Sequence, residues 1–440
     1  MKLAGWGNFP RLECRTADLR PDVRPDPLLA DAPLIARGNG RAYGDAALQP
    51  NLTVSTRHLD RFLAFDSATG RLTCEAGTRL DTILEIFVPR GWFPAVTPGT
   101  KYVTVGGMIA ADVHGKNHHV AGSFGRYVDG LAVLLADGRV VECSREREPD
   151  LFAATIGGMG LTGIILSATF RLARIPSAFI RSETVRAPNL EATLEAFEAA
   201  AGWTNTVSWI DCLSGGPRLG RSLLSRGEFA MSDELPVELR KAPFHSPSKR
   251  TLRVPVDFPA WVLNSWSARA FNALYYAASP RLPEPKLVHY DGFFYPLDRL
   301  LEWNRIYGRA GFTQYQCVLP KQAGREGLHR LLKTIQRSGL GSFLAVLKLF
   351  GRQDGLMSFP LEGYALALDF PLTSPTLGML FELDAIVADH GGRIYLAKDA
   401  RSTPALLRRG YPHLAEFQRI RSRWGACGRM QSLLAERLDL

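Results

Sequence analysis

The chain runs to 440 residues, 46% of them hydrophobic and 22% charged, which excludes a disordered or low-complexity protein and allows two or three domains with real cores. Its formal charge of +10 and pI near 9.4 favour an anionic partner, whether a phosphate-bearing ligand, an anionic membrane face or nucleic acid; a basic surface that meets only water has the same signature. No zinc finger, basic zipper or RNP-like aromatic strand accompanies that charge, so nucleic acid is not expected as a partner.

No run of about 18 uncharged apolar residues could cross a bilayer. The opening MKLAGWGNFPRLECR lacks the apolar core of a secretory signal, and a cytoplasmic protein is expected. The six cysteines (Cys14, Cys74, Cys143, Cys212, Cys317, Cys427) are scattered without a C-x-x-C pair, which argues against a disulfide framework or a structural zinc.

Up to Pro176, short β-rich runs alternate with glycine-rich turns: APLIARG, LTVST, RLTCEAG, YVDGLAVLLADGRVVEC and GIILSATFRL. Asp-Gly in LADGRVVE supplies the turn that a twisted hairpin needs. RLDTILEIFVPRG predicts a helix stopped at Pro89 and Gly91. Beyond Pro176, helical periodicity in NLEATLEAFEAAAGW, REGLHRLLKTIQRSG and TLGMLFELDAIVADHGG is interleaved with the strand-like SFLAVLKLFG, YALALDFPL and GRIYLA, predicting a sheet covered by helices. Residues 215–256, rich in Gly, Pro, Ser and basic side chains, read as a lid, binding loop or disorder. With FPAWVLNSWSARAFNALYYAA they suit either a basic, aromatic surface touching lipid headgroups or a helix packed on the second domain beneath a loop, burial being the usual fate of large apolar residues.

Three glycine-rich segments carry the chemistry. In ARGNGRAYGD, Gly38, Gly40 and Gly44 alternate with Arg37 and Arg41, so that backbone N–H groups can close on a pyrophosphate. TPGTKYVTVGGMIAADVHGKNHH follows, and then GGMGLTG, where Gly158, Gly160 and Gly163 match G-x-G-x-x-G. A nicotinamide-type fingerprint must open a helix, whereas Ile164–Phe170 is β-rich, so that interpretation fails in context.

In this order the three segments resemble the FAD-binding domain of the vanillyl-alcohol-oxidase-like, PCMH-type flavoproteins. With YQCVLPK, LKLFG and RIYLAKDAR the resemblance extends over nearly the whole chain and is strongest to the decaprenylphosphoryl-ribose 2′-oxidase branch of that class. It implies an α+β, two-domain fold: an FAD-binding domain over 1–176, a substrate domain over 177–392 built on an antiparallel sheet covered by helices, with 215–280 a mobile or membrane-facing insertion, and a segment 393–440 returning to the first domain. It also implies FAD held non-covalently, since GNGRAYGD lacks the histidine that commonly bonds covalent flavin.

The resemblance assigns Arg37, Gly38, Asn39, Gly40, Arg41, Ala42 and Tyr43 to the pyrophosphate loop. It lines the flavin with Pro98, Gly99, Thr100, Val105, Gly106, Gly107, Ala110, Asp112, His114, Gly115 and Asn117, and borders it with Gly158, Gly160, Gly163, Ile164 and Tyr395. Lys398 and His114 are the implied catalytic residues; Lys116, Tyr295, Gln314, Gln316 and Lys348 are the implied substrate residues, Tyr295 closing the pocket.

Residue spacing qualifies these assignments. Tyr395 and Lys398, three apart, face opposite sides of an ideal strand, so a bend or strand end is required. Gln314 and Gln316, two apart, share a face suited to adjacent sugar hydroxyls. Lys348 interrupts an apolar strand, either aimed into a polar pocket or sitting at a solvated strand end. His114 and His118 have metal-ligand spacing, but Gly115 and Asn117 disfavour a helix and no acidic third ligand follows; no metal is expected, and His118 and His119 read as turn structure and solvated charge. Where relatives of this branch carry Asn and Cys before an Asp-Phe-Pro, this chain has Ala365 and Ala367.

The implied reaction is oxidation of the 2′-hydroxyl of a polyprenyl-phosphoryl-β-D-ribofuranose to the ketone, with a separate NAD(P)H-dependent ketoreductase completing epimerisation and an anionic membrane face as a further partner. A sugar-lactone or alditol oxidase of the same flavin class, acting on a soluble substrate, is the alternative.

Overall fold

The computed structural model describes residues 1–21, 32–246, 251–259, 264–342 and 344–440. A small parallel sheet joins β1 (Thr16–Asp18), β2 (Ile35–Arg37) and β3 (Thr53–Ser55) in the order β1-β3-β2. The next sheet comprises β4 (Phe62–Asp66), β5 (Arg71–Glu75), β6 (Trp92–Pro94), β7 (Val128–Leu134), β8 (Val140–Ser144) and β9 (Ile164–Arg174). Its order is β8-β7-β9-β5-β4, with β6 paired to β9. The Asp-Gly hairpin is the β7–β8 turn, and Gly163 leads directly into β9 rather than a helix. Helix α1 (Leu80–Phe87) buries Leu80, Ile83, Leu84 and Phe87 against Ala168, Phe170 and Leu172, the inward residues of β9. Helices α2 (Val105–Ala110) and α3 (Pro149–Thr155) complete this half.

The second sheet is antiparallel throughout and has eight strands: β10 (Phe179–Ala187), β11 (Asn205–Ile210), β12 (Ser222–Phe229), β13 (Lys286–His289), β14 (Phe312–Pro320), β15 (Ala345–Phe350), β16 (Gly363–Pro371) and β17 (Arg393–Ile394). Their order is β13-β10-β12-β11-β15-β16-β14-β17. One face packs on α4 (Leu190–Ala199), α6 (Lys321–Ser338) and α7 (Ser374–Asp389); α5 (Ser265–Ala278) lies against the ends of β10 and β11, where Tyr276 meets Ala187 and Asn272 meets Asp211. Leu328, Leu331, Leu332 and Ile335 form the apolar stripe of α6, which ends on Gly339 in the left-handed conformation.

Period-2 alternation splits the two faces of β14–β16. Tyr315, Cys317 and Leu319, then Ala345, Leu347 and Leu349, then Leu366, Leu368 and Phe370 enter the helix-packed core. Gln314, Gln316, Val346, Lys348, Ala365, Ala367 and Asp369 take the opposite face.

The chain then closes with α8 (Pro404–Gly410), α9 (Leu414–Arg423) and α10 (Leu433–Leu438), whose Leu407, Phe417, Ile420 and Leu434 pack with Ile35, Ala154 and Leu161. Arg437 lies 2.9 Å from Asp45 and 3.0 Å from Asp399, both deeply buried.

Two expectations are corrected. Residues 222–229, expected within a loop-like insertion, are β12, an interior strand between β10 and β11; the charges that suggested a loop form cross-strand pairs such as Arg226 with Glu183 at 2.7 Å. Residues 247–250 and 260–263 of the same expected insertion lie outside the described residues. His118 and His119, expected in solvent, are packed: His118 lies 4.5 Å from the Phe350 ring, and Nε2 of His119 meets the Trp203 carbonyl at 2.8 Å.

Candidate active site

The polar face of β14–β16 roofs a cavity of about 500 Å3 whose floor is made by the three glycine-rich segments. The first leaves β2, the second runs into α2 and the third precedes β9, so three strand or helix ends converge on one groove. Small residues line much of it, among them Gly38, Gly40, Ala42, Gly106, Gly107 and Ala110. A Cβ on Gly38 would fall 2.2 Å from Oγ1 of Thr104, the hydroxyl that caps α2 through the Gly107 N–H. Gly40 has φ +64°, and a Cβ there would meet the Arg37 guanidinium at 2.6 Å.

The loops are braced by bonds and ring contacts around the groove. Arg37 donates to the carbonyls of Ala4 (2.7 Å) and Ala47 (3.3 Å), and Asn39 to that of Tyr102 (2.7 Å). Arg41 lies 4.0 Å from the Trp6 ring centroid. Asp298 accepts from the Lys101 N–H (2.7 Å) and Thr100 Oγ1 (2.8 Å), holding the Pro98–Gly99–Thr100 turn.

On the roof, Gln314 donates to Oδ1 of Asp369 at 2.5 Å, and Gln316 Nε2 lies 3.0 Å from Nε2 of His114. Burial, reinforced by Lys348, holds the His114 imidazole well below its ordinary range, so it is neutral. The Gln316 amide then donates to Nε2 and the proton sits on Nδ1, which has no partner.

At the end of the groove β17 stops at Ile394, and a turn follows in which the Lys398 N–H bonds the Tyr395 carbonyl at 3.0 Å. That turn is the required bend: both Tyr395 and Lys398 line the cavity. Lys398 Nζ stands 3.5 Å from the centroid of Tyr43. Burial pushes the Lys398 pKa down despite the attraction of Asp369, and brings Lys348 down to about 8. Asp369 is displaced upward by burial, against its bond from Gln314 and the charge of Lys398.

Nine of the sequence-assigned residues stand outside the cavity lining. Val105 and Ile164 are core residues, and Gly158 allows α3 and Phe417 to close on one another. Arg37 acts beneath the first loop as described. Asp112 is sealed beneath α2, accepting from Ser123 (2.7 Å), Ser358 (2.6 Å) and the Gly125 N–H (2.8 Å). Gly115 and Asn117 shape the turn after His114, Asn117 donating to the Ala95 carbonyl at 2.8 Å. Lys116 reaches the Phe293 carbonyl and lies 4.2 Å from that ring centroid, its pKa brought down to about 7 by burial and Lys348. The expected position of Tyr295 at the pocket is corrected: it is wholly buried in the first core, its hydroxyl 2.5 Å from Thr97 Oγ1.

Asp369, Asp298, Trp6 and Thr104 line the cavity without having been singled out. Only Asp369 left a signal, an acid in an otherwise apolar strand two and four residues from Ala367 and Ala365.

The cradle fits a dinucleotide. Glycine and alanine leave room where larger side chains would fill the groove, and Arg41 Nε and His114 Nδ1 are buried polar atoms without a protein partner. Among the described residues no group of three His, Cys, Asp or Glu could hold a metal, and no helix is long and apolar enough to cross a membrane.

Comparison with known proteins gives the same class of cofactor. Residues 29–144 match the model of an FAD binding domain. Over 413 residues, 92% of this chain and 89% of the relative, the chain is 40% identical to decaprenylphosphoryl-β-D-ribose oxidase of Mycolicibacterium smegmatis. It is 32% identical over 371 residues to an uncharacterised protein of Streptomyces coelicolor, covering 82% of this chain and all of that one. L-gulono-1,4-lactone dehydrogenase of Mycobacterium tuberculosis is 23% identical over 393 residues, 88% of this chain and 86% of the relative.

Proposed function

The chain belongs to the family of decaprenylphosphoryl-β-D-ribose oxidases and is an FAD-dependent oxidoreductase, and from that premise we propose that it oxidises the 2′-hydroxyl of a polyprenyl-phosphoryl-β-D-ribofuranose to the 2′-ketone. The observation that carries this is one cavity with a small-residue cradle on its floor and Gln314, Gln316, Lys348 and Lys398 on its roof and end.

The loops at Gly38–Tyr43, Pro98–Thr100 and Gly106–Gly107 would hold FAD non-covalently, and bound there it would supply the acceptor for the hydride lost from carbon. Lys398, at the end of the groove with its pKa lowered by burial, takes the proton lost from the hydroxyl. Gln314, fixed by Asp369, and Gln316, fixed by His114, hold neighbouring sugar oxygens, and neutral His114 offers its Nδ1 proton as a further donor. Lys348 faces the anionic part of the substrate. Tyr395 and the walls of the small groove exclude water from the reacting carbon.

Residues 1–176 form the FAD-binding domain, 177–392 the substrate domain, and 393–440 the segment that brings Tyr395 and Lys398 back to the cofactor. The basic chain works at the cytoplasmic face of a membrane, and a separate NAD(P)H-dependent ketoreductase reduces the ketone to the arabinose epimer.

Product analysis tests the proposal. The purified holoenzyme is incubated with farnesyl-phosphoryl-ribofuranose and an electron-accepting dye, and the product is trapped with borodeuteride. Deuterium at C2 of a ribose and arabinose mixture is expected; label at another carbon, or turnover of free aldonolactones alone, overturns it.

A further inference from the structure

Helix α5 is folded inside out. The side turned to the protein is small and polar: Ser265 donates to the Gly339 carbonyl (2.6 Å), Asn272 to Asp211 (2.8 Å) and Tyr276 to the Ala187 carbonyl (3.1 Å), with Ala268 against Gly341. The outward side is apolar: Trp266 is 83% and Leu274 71% exposed, with Ala270, Ala273, Ala277 and Ala278 exposed among them. At 100° per residue these six positions fall on one continuous stripe, and Arg269 at its edge is the helix's one charge. A water-facing helix surface is ordinarily polar, and this reversal leaves a large apolar face in solvent.

The face is not an isolated oddity of one helix. Eight of the fifteen exposed large hydrophobic residues in the described chain fall between Leu252 and Leu287. The cations Arg269, Arg281 and Lys286 lie in the same stretch with Arg253, itself paired with Glu302 at 3.6 Å; the acids there are Asp257, paired with Arg305 at 3.0 Å, and Glu284. The described part of this stretch is therefore rich in exposed apolar side chains and net basic.

It also adjoins the cavity. Tyr275 of α5 packs edge-on against Trp209 at 5.0 Å. Trp209 sits directly across the β11–β15 ladder from Val346, which lines the cavity, so both project from one face of the sheet. Arg253, beside the exposed Leu252, lines the cavity as well.

We propose that the outward face of α5, with the Leu252–Val256 stretch, is the surface by which this protein docks on a bilayer containing anionic lipid. Trp266 and Leu274 enter the headgroup and acyl boundary, and Arg269, Arg281 and Lys286 meet the phosphates. An apolar, net basic surface matches an anionic bilayer in both respects, and docking there presents the mouth of the cavity to a lipid-linked sugar held in the same membrane. The choice of occupant rests on the proposed lipid-linked substrate, while the binding itself is measured without turnover.

The full-length holoenzyme is sedimented with phosphatidylcholine vesicles, with and without phosphatidylglycerol, at low and high salt. Wild type is expected to sediment with the anionic vesicles in a salt-sensitive manner, with a blue shift of tryptophan fluorescence. The W266S/L274S double variant, altered only at exposed positions, is expected to bind at least tenfold more weakly while retaining its FAD spectrum and its rate of flavin bleaching by a short-chain, detergent-free substrate. Wild type remaining in the supernatant overturns the docking surface, as does equal sedimentation of the double variant, or a wild-type dimer that the double variant converts to monomer. Vesicle binding without flavin bleaching by the phosphoryl ribose would leave the docking surface standing and remove the substrate instead.

Discussion

Gln314 and Asp369 face one another across the β14–β16 ladder and are joined by a 2.5 Å bond from the amide to the carboxylate, inside the cavity that also receives Lys398. The carboxylate thus orients a substrate-facing amide and stabilises the protonated form of the lysine. Removing its charge lowers the lysine pKa further, so the neutral lysine persists to more acid pH. For Asp369→Asn, the acid limb of the kcat profile is expected to lie at lower pH than in wild type. An unmoved or upward-shifted limb would separate Asp369 from Lys398.

Lys398→Met removes the proton acceptor while leaving the cradle loops untouched. A fall in the anaerobic flavin-reduction rate of about 100-fold or more is expected, with FAD content unchanged in the visible spectrum. A rate within threefold of wild type would assign the proton to another group.

Gly38→Ala places a methyl group on Oγ1 of Thr104, where an unrelaxed Cβ would lie at 2.2 Å. The loop or the α2 cap must move, the latter at a cost of about 1 kcal/mol. FAD occupancy after purification is expected to fall at least tenfold relative to wild type, measured by the absorbance ratio of flavin to protein.

Ala367 lines the cavity, and the five buried cysteines are closed to reagents, with burial pushing the thiols of Cys74, Cys143, Cys212 and Cys317 up to about 12. Wild type is expected to take a thiol-directed label at the exposed Cys427 alone. Ala367→Cys should add one label by intact mass, and substrate should protect it; no additional label would mean that the strand is closed to small molecules.

Arg437 joins the C-terminal helices to the first loop through Asp45 and Asp399, 5% and 2% exposed respectively. Arg437→Met leaves two buried carboxylates without their cation, and a loss of about 3 kcal/mol or more is expected in urea unfolding. A change under about 1 kcal/mol would show that water already compensates them.

The sequence made visible what depends on local pattern. The three glycine segments and the strict alternation of β14–β16 announce both the cradle and the shared face of Gln314 and Gln316, and the three-residue gap between Tyr395 and Lys398 demands the turn that follows Ile394. What stayed hidden depends on neighbours distant in the chain. β12 looks like a loop because Arg226 and Glu228 interrupt it, until Glu183 on β10 and the Thr204 N–H supply their partners. Tyr295 is an exposed-looking polar aromatic until Thr97 takes its hydroxyl inside the core. The inward face of α5 is legible only once Asp211 and the Gly339 and Ala187 carbonyls are known to lie beneath it.

The central claim is tested most directly by mixing the oxidised holoenzyme anaerobically with farnesyl-phosphoryl-ribofuranose and following the flavin absorbance. Rapid bleaching by that substrate, absent with free polyols and aldonolactones, is the predicted result; bleaching by the soluble sugars and not by the phosphoryl ribose would contradict it.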